Sequence, residues 1–437
     1  MDVLRAMAVS LVLLHHLDIG VLLDGTVWLQ PVKLLHEAGF LGISLFLVLS
    51  GFSIHLRVAS GGSFAVRPFL VRRLWRLQPT YYVALGFALL FLLVGFLAGH
   101  GWSQPRFGPH GAPIPVRALV VTQLSVLAGT VIPPSWMSIS WSLGLEEQIY
   151  LVYAAVVSRL RRVPAWRWLL IALAACLAYR VGAELVLPSV PKSFPPGPGR
   201  WSWLAELAFQ QVPGRMAEWF TGAFIAQWWA GRQRLPRVVT GAVSGLAVTA
   251  AALAVMLLLF KHRMGWTSLA GHRFAVSDVL FDPVAGLAFG ALLISCLAAE
   301  RRASRTAVAA VGLAWFGERS YSMYLAHGPI LATTYALART LLVTTAGRLA
   351  VNGAAVALSI GGTLLLYRYA EAPFTARSRR VRVGRGGDRA GAPADLVPAL
   401  AVDRSESDPA TKGPGEPADA WAAGPSADRP SPGRHQA

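Results

Sequence analysis

Residues 39–53 read GFLGISLFLVLSGFS, a run without a single charged side chain. With its neighbours this run forms an apolar segment at 38–57, and a helix of about 20 apolar residues is what a bilayer core of about 30 Å requires. Similar segments elsewhere bring the predicted number of transmembrane helices to about ten. They lie near residues 3–23, 79–98, 143–158, 167–187, 216–230, 238–260, 278–299, 320–340 and 348–369. The sequence therefore predicts an all-α, polytopic integral membrane helix bundle.

The composition also indicates a membrane protein. Of the 437 residues, 54% are hydrophobic and only 14% are charged, whereas a soluble domain carries about a quarter of its residues as Asp, Glu, Lys and Arg. This balance excludes a chain of soluble domains. The two cysteines, Cys176 and Cys296, lie in apolar segments and cannot form a disulfide scaffold. No Cys/His spacing resembles a zinc site, so we expect no metal.

The net charge of +18 belongs mainly to the membrane part, because residues 1–374 carry +16 and residues 375–437 carry +2. Basic residues beside apolar spans mark the cytoplasmic side. Alternate connections hold sixteen basic residues on one side and eleven on the other, which predicts both termini in the cytoplasm without any nucleic acid partner. The excess of Ala, Gly, Pro and Arg is typical of GC-rich bacteria, so we expect a multi-pass protein of the bacterial inner membrane.

The composition changes near Thr375, where Ala, Gly, Pro, Asp, Ser and Arg replace the large apolar residues. A segment of this kind cannot bury enough apolar surface to fold. We therefore predict a transmembrane domain at 1–374 and a disordered cytoplasmic tail at 375–437.

Ionisable residues inside spans indicate function, because burying them in lipid is costly. Arg5 and His16 are eleven positions apart in the first span, so both project from one face of a helix, about 16 Å apart along its axis. His15 points about 100° away. A lone intramembrane histidine is as often a packing residue as a functional one, but the arginine on the same face favours function.

Three arginines, Arg72, Arg73 and Arg76, form a second cluster at the start of the third span. Guanidinium groups pair bidentately with phosphate oxygens. The density of this cluster favours an anionic ligand or a membrane lipid headgroup over a topology signal alone.

Other polar positions have both a structural and a functional interpretation. Small residues of the second span, Gly42, Ser44, Ser50 and Gly51, suit close helix packing. Glu146 and Glu147 open the fourth span, either as helix N-terminal carboxylates or as partners of an imidazole or arginine. Ser320, Tyr324 and His327 share one helical face, and Tyr367–Pro373 is a charged segment that closes the last span.

Together these segments resemble the acyltransferase family 3 of bacterial integral membrane proteins. Six blocks match in order: Leu4–Val9 with His16; Gly42–Phe52; Arg72, Arg73 and Arg76 with Pro79 and Tyr81; Ser140–Leu143 with Glu146–Tyr150; Ser320–His327; and Tyr367–Glu371 before Pro373.

The resemblance implies an acyl-CoA dependent O-acyltransferase that acylates a hydroxyl, commonly of a sugar. It implies that His16, Arg5 and Glu147 are catalytic residues, that Arg72, Arg73 and Arg76 bind the CoA phosphates, and that acyl-CoA is a co-substrate rather than a permanently bound cofactor. A neutral imidazole is well suited to deprotonate an attacking hydroxyl, so we expect His16 to be the general base. His15 departs from the aromatic residue usual beside this histidine, which leaves its role open.

Several alternatives remain at this point. The acceptor is either a surface polysaccharide or peptidoglycan sugar, or a glycosylated natural product such as a macrolide. A transporter for an acyl-bearing or anionic solute would also place His, Arg and Glu inside spans. A non-catalytic scaffold has no need of Arg5 and His16 on one face.

Overall fold

The computed structural model describes residues 1–24, 27–95, 141–186, 211–264, 276–302, 309–338 and 340–381. This part of the chain is helical and contains no strand, which confirms the predicted all-α class. The connections at 99–142 and 188–215, which we expect on the outer side between predicted spans, lie almost wholly outside the described residues. The predicted tail lies outside them from residue 382 onwards.

Several helices begin and end within a few residues of predicted spans, whereas the helix at the predicted span 79–98 begins thirteen residues earlier, at Val66. In chain order they are α1 Asp2–His16, α2 Gly20–Leu23, α3 Gln30–Glu37, α4 Gly42–Ala59, α5 Val66–Gly95, α6 Trp141–Leu160, α7 Ala165–Val186, α8 Val212–Trp229, α9 Arg237–Thr240, α10 Ala242–Met264, α11 Val276–Arg302, α12 Ala309–Glu318, α13 Ser320–Leu337, α14 Thr345–Leu366 and α15 Ala372–Arg380. A π-helical turn, Tyr367–Glu371, joins α14 to α15.

Four helical segments of the described chain are long and apolar enough to cross a membrane: Gly39–Ala59, Ala165–Ala183, Val279–Glu300 and Thr345–Arg380. A shorter apolar helix covers Val243–Leu259. These segments establish the membrane character of the chain, and the larger number of about ten spans stays a prediction.

Helix α4 lies at the centre of the bundle because its small residues let other backbones approach. A Cβ atom on Gly51 would lie 1.9 Å from the carbonyl oxygen of Trp219 in α8, and one on Gly42 would lie 2.3 Å from that of Ala8 in α1. Both glycines therefore pack as the sequence predicts. The neighbouring serines have polar partners instead: Ser44 accepts a hydrogen bond from Arg215, and Ser50 donates one to Glu146.

A buried network of charges joins α7, α8 and α11. Asp282 pairs with Arg180 at 2.7 Å and with Arg215 at 2.8 Å, and Arg215 also pairs with Glu218 at 2.6 Å. All four side chains are buried. In a low-dielectric interior such charges are tolerated because they compensate one another.

The arrangement of the helices leaves a space on one side of α4. Helix α1 packs against α4, α12 and α13, while α5 packs against α13 and α15. Side chains from α1, α4, α5, α6 and α13 converge on this space, which holds most of the polar residues singled out by the sequence.

Candidate active site

An open cavity lies between these helices. One part of its wall is apolar, with Ile43, Phe46, Leu47, Leu77 and Leu143 among its residues. The rest is polar and charged, formed by Arg5, Ser50, Ser53, Arg73, Arg76, Ser142, Glu146, Tyr150, Glu318, Ser320, Tyr321, Tyr324 and Glu371. A cavity of this character suits an elongated ligand with an anionic end and an apolar body.

Arginines from two helices meet in the cavity. Arg5 of α1 donates to Asp2 at 2.8 Å and to Ser53 at 3.3 Å. The Arg73 guanidinium lies over the rings of Phe69 and Tyr150, 5.6 and 5.3 Å from their centroids.

The two arginines of α5 differ from Arg5 in their ion pairing. No ion pair joins Arg73 or Arg76 to a carboxylate among the residues that the structure describes. Glu146 and Glu371 line the same cavity and interact electrostatically with Arg73 and Arg76 respectively, so they partly balance these charges. A guanidinium group that is not bound directly to a carboxylate can still form charge-assisted hydrogen bonds with an anionic ligand.

Arg72 does not share this environment. Its guanidinium donates to the Val381 carbonyl at 3.2 Å, beyond the end of α15, and the residue does not line the cavity. The structure thus brings Arg5, predicted to be catalytic, to Arg73 and Arg76, predicted to bind the CoA phosphates. Arg72, the third predicted phosphate ligand, lies outside the cavity.

The two adjacent glutamates of α6 separate in a similar way. Glu146 lines the cavity and accepts hydrogen bonds from Ser50, at 2.8 Å, and from Tyr150. Glu147 lies outside the lining, is 6% exposed, and accepts a hydrogen bond from Gln78. The sequence block matches both residues, but only Glu146 faces the arginines.

Glu371 is a second carboxylate of the cavity that the sequence did not single out for a role. It ends the π-helical turn and accepts hydrogen bonds from Ser322, at 3.1 Å from the backbone nitrogen and 2.6 Å from Oγ. A π-helical turn often marks a functional position. Here the turn lies within the charged segment Tyr367–Pro373, which closes the last predicted span.

His16 lies at the other end of α1 and does not line the cavity. Its Nδ1 lies 2.7 Å from the Val12 carbonyl oxygen. Because a carbonyl can only accept, Nδ1 carries the hydrogen and Nε2 keeps a free lone pair. The ring is therefore held in the tautomer that a general base requires.

A second histidine faces the same place. The ring centroid of His327, from α13, lies 5.1 Å from that of His16. His327 is fully buried, its Nδ1 donates to the Met323 carbonyl at 3.0 Å, and its Nε2 has no hydrogen-bond partner within the described residues. The one-face pattern of α13 indicated His327, but its proximity to His16 required the tertiary fold.

His15 lies beside His16, with ring centroids 5.3 Å apart, but it hydrogen-bonds to a different segment. Its Nδ1 lies 2.9 Å from the His36 carbonyl oxygen, and the His36 ring in turn lies 3.0 Å from the Leu17 carbonyl oxygen through Nε2. These bonds attach α3 to the end of α1. The described residues include no group of three or more His, Cys, Asp or Glu arranged to hold a metal.

Arg5 and His16 occupy one face of α1, with Val9 and Val12 between them. Both valines are buried against Ile43, Met323 and Tyr324. Tyr324 lines the cavity, bonds to Ser142 at 2.5 Å, and has its ring 5.7 Å from that of His327. Tyr324 thus connects the lining of the cavity to the pair of histidines.

The fold and this site define a helical membrane protein in which a cavity lined by arginines and glutamates lies near two neighbouring imidazoles. More specifically, the chain belongs to acyltransferase family 3. The family model, described as an acyltransferase domain, matches residues 1–368, which confirms the resemblance inferred from the six blocks.

Two curated relatives are peptidoglycan O-acetyltransferases by name. The peptidoglycan O-acetyltransferase OatA of Listeria monocytogenes is 21% identical over 76% of this chain and 49% of its own length. The putative peptidoglycan O-acetyltransferase YrhL of Bacillus subtilis is 23% identical over 76% of this chain and 48% of its own length. The chain thus spans about half the length of these relatives. No solved structure matches the chain.

Proposed function

We propose that this protein is a membrane O-acyltransferase that moves an acyl group from acyl-CoA to a hydroxyl of a carbohydrate or glycosylated natural product. The observation that carries this proposal is the cavity in which Arg5, Arg73 and Arg76 converge beside an apolar wall. CoA has the matching chemistry, with phosphates at one end and a long, narrower arm that ends in the thioester. Membership of an acyltransferase family supplies the reaction class.

The proposed donor site is at the arginine end of α1. Arg73 and Arg76 bind phosphate oxygens through charge-assisted hydrogen bonds, and Arg5 adds a third guanidinium. The arm then extends along Ile43 and Phe46 towards Tyr324. In this scheme the Tyr324 ring turns, or its bond to Ser142 breaks, so that the thioester reaches His16.

The proposed chemistry takes place at the other end of α1. The acceptor hydroxyl gives its proton to His16 Nε2 while its oxygen attacks the thioester carbonyl carbon. The carbon–sulfur bond then breaks, the acyl group remains on the acceptor oxygen, and the CoA sulfur takes up the proton. In this scheme Arg5 binds the acyl donor and does not stabilise the oxyanion that forms on the thioester carbonyl. The reason is that Arg5 and His16 lie near opposite ends of α1.

The remaining parts of the proposal concern the acceptor and the topology. The names of the relatives make peptidoglycan the first acceptor to test, with a glycosylated macrolide as the second. The proposed topology has about ten spans, both termini in the cytoplasm and an inner-membrane location. In this topology the arginine cavity faces the cytoplasm, where acyl-CoA is made.

Acyl transfer is tested with labelled acetyl-CoA and membranes that contain the protein, with peptidoglycan fragments or a macrolide glycoside as acceptor. We expect label in the acceptor together with free CoA, and loss of both in His16→Gln but not in His15→Gln. Label that only crosses the membrane, without free CoA, would indicate a transporter. Full activity in His16→Gln would refute the assignment of the base.

The donor site has a matched pair of variants in the same helix turn. Arg73→Gln should raise KM for acetyl-CoA about tenfold or more, because one charge-assisted hydrogen bond contributes roughly 1.5–3 kcal/mol. Arg72→Gln should leave KM within about twofold, because Arg72 faces Val381. Equal effects of the two substitutions would show that the cavity does not bind the phosphates.

A further inference from the structure

The chain leaves helix α1 directly after His16 and is fixed two residues later. Leu17 has an extended backbone, with φ −74° and ψ 142°. The backbone N–H of Asp18 then donates to the Tyr335 hydroxyl at 3.1 Å and to Asn352 Oδ1 at 3.0 Å. These two partners belong to two other helices, α13 and α14.

Asn352 uses its whole amide in this network. Oδ1 accepts from the Asp18 backbone and from the Tyr335 hydroxyl, the latter at 2.6 Å. Nδ2 donates to the Asp18 carbonyl at 3.1 Å and to the Arg348 carbonyl at 2.8 Å. Both donors and both acceptor positions of the carboxamide are occupied, so the side chain has one orientation. It binds both the backbone N–H and the backbone carbonyl of Asp18.

The same network reaches both histidines of the site. Asp18 is two residues after His16, and Tyr335 is two helical turns after His327 in α13. The bonds among Asp18, Tyr335 and Asn352 therefore fix the end of α1 against α13. The 5.1 Å separation of the His16 and His327 rings depends on that alignment.

An ion pair adds to the attachment without replacing it. Arg348, one turn before Asn352, pairs with the Asp18 carboxylate. This pair is partly exposed, at 23% and 37% of the two side chains, so water competes for it. Asn352 is buried, at 5% exposure, and is the member of the network that fixes the backbone.

We propose that Asn352 is a positioning residue that holds His16 in its working geometry by anchoring the backbone of Asp18 to α13 and α14. This inference rests on the proposed function, in which His16 is the base. Asn352 does not line the cavity proposed to hold the CoA phosphates, and its amide is fully used by the bonds to Asp18, Tyr335 and Arg348. Its effect is therefore on turnover and not on donor binding.

A residue that served only to satisfy a buried helix end would act differently. Its loss would reduce the amount of folded protein but leave turnover per folded molecule unchanged. Misplacement of a reacting group by about 1 Å, by contrast, costs on the order of a hundredfold in rate. Turnover per folded molecule therefore separates the two roles.

The experiment compares Asn352→Leu with Ser359→Ala, both purified as monodisperse protein in detergent. Ser359 is the matched control, because it lies in the same helix, is fully buried, and its Oγ has no hydrogen-bond partner in the described chain. CoA release from acetyl-CoA is measured with peptidoglycan fragments as acceptor. Tyr335→Phe, which removes one hydroxyl from the network, is a milder second variant that folds more readily.

We expect Asn352→Leu to lower kcat about tenfold or more with KM for acetyl-CoA within about twofold of the control. Tyr335→Phe should lower kcat a few-fold in the same manner. In a His16→Gln background neither substitution should reduce the residual rate further, because both act through His16.

Three results would overturn the inference. The first is an Asn352→Leu kcat equal to that of Ser359→Ala, and the second is a joint change of kcat and KM, which would indicate a general distortion. The third is an additive loss in the His16→Gln background. Wild-type activity in His16→Gln itself is a different outcome, which would refute the proposed base and not only the role of Asn352.

Discussion

At the scale of single residues, Glu146 and Glu147 show how adjacent identical side chains acquire different environments. Glu146 faces the cavity with Arg5 and Arg73, whereas Glu147 points to Gln78. A negative charge opposes phosphate binding in the proposed donor cavity, so we expect Glu146 to limit the affinity for acyl-CoA.

We predict that Glu146→Gln lowers KM for acetyl-CoA. Removal of one like charge near the phosphates contributes about 1 kcal/mol, or roughly fivefold. Steady-state rates at varied acetyl-CoA concentration measure this effect. Glu147→Gln should leave KM within about twofold, since an amide oxygen still accepts the hydrogen bond from Gln78. A higher KM in Glu146→Gln would contradict the prediction, and a loss of kcat in Glu147→Gln would support the catalytic role that the resemblance implied.

The sequence predicted some of this site and not the rest, for physical reasons. The helical period alone predicts that Arg5 and His16 lie on one face, and they lie on one face of α1. The same period cannot choose between Arg72 and Arg73, or between Glu146 and Glu147, because the rotation of each helix depends on its neighbours. The approach of His327 to His16 was equally inaccessible, since the two residues are in distant spans.

At the scale of helices, the buried network around Asp282 connects elements that the sequence treated only as spans. Arg180 and Arg215 both pair with Asp282, from α7 and α8 respectively. Sequence analysis missed these residues because they lie near the ends of apolar segments, where charges usually reflect the membrane boundary. Only tertiary packing shows that they compensate one another.

We predict that Asp282→Asn lowers the free energy of unfolding by about 3 kcal/mol, because it leaves two buried guanidinium groups without their shared carboxylate. Thermal unfolding in detergent measures the change. Asp24→Asn is the control, since it breaks the exposed pair with Lys33, and such pairs contribute about 1 kcal/mol or less. Equal stability losses in the two variants would contradict a stabilising role of the network.

At the scale of the whole molecule, composition predicted the helical membrane class but set the end of the helical domain too early in the chain. Helix α15 continues to Arg380, six residues beyond the predicted boundary at Phe374. The sequence there is already polar and basic. Phe374 nevertheless stacks on Trp75, with ring centroids 6.2 Å apart, and Ser378 is buried. A few packing contacts with α5 thus keep in helix a segment whose average composition predicts disorder.

The orientation of the molecule connects its charge pattern to its proposed chemistry. Positive-inside arithmetic assigns Arg162 to the cytoplasmic side and Lys33 to the outer side, and both residues are exposed or partly exposed. In the predicted orientation, the arginine end of α1 faces the cytoplasm, which contains acyl-CoA, and His16 lies towards the outer face of the membrane.

We therefore predict that single cysteines at these two positions label from opposite sides, in a background in which Cys176 and Cys296 are replaced by alanine. Lys33→Cys should react with a membrane-impermeant maleimide in spheroplasts, and Arg162→Cys only in inverted vesicles. Acetyl-CoA added to sealed inverted vesicles should then be consumed, whereas acetyl-CoA added outside spheroplasts should not. Reversed labelling would turn the arginine cavity away from the cytoplasmic acyl-CoA pool. The donor site would then lose its physical basis even if the residues that form it are correctly placed.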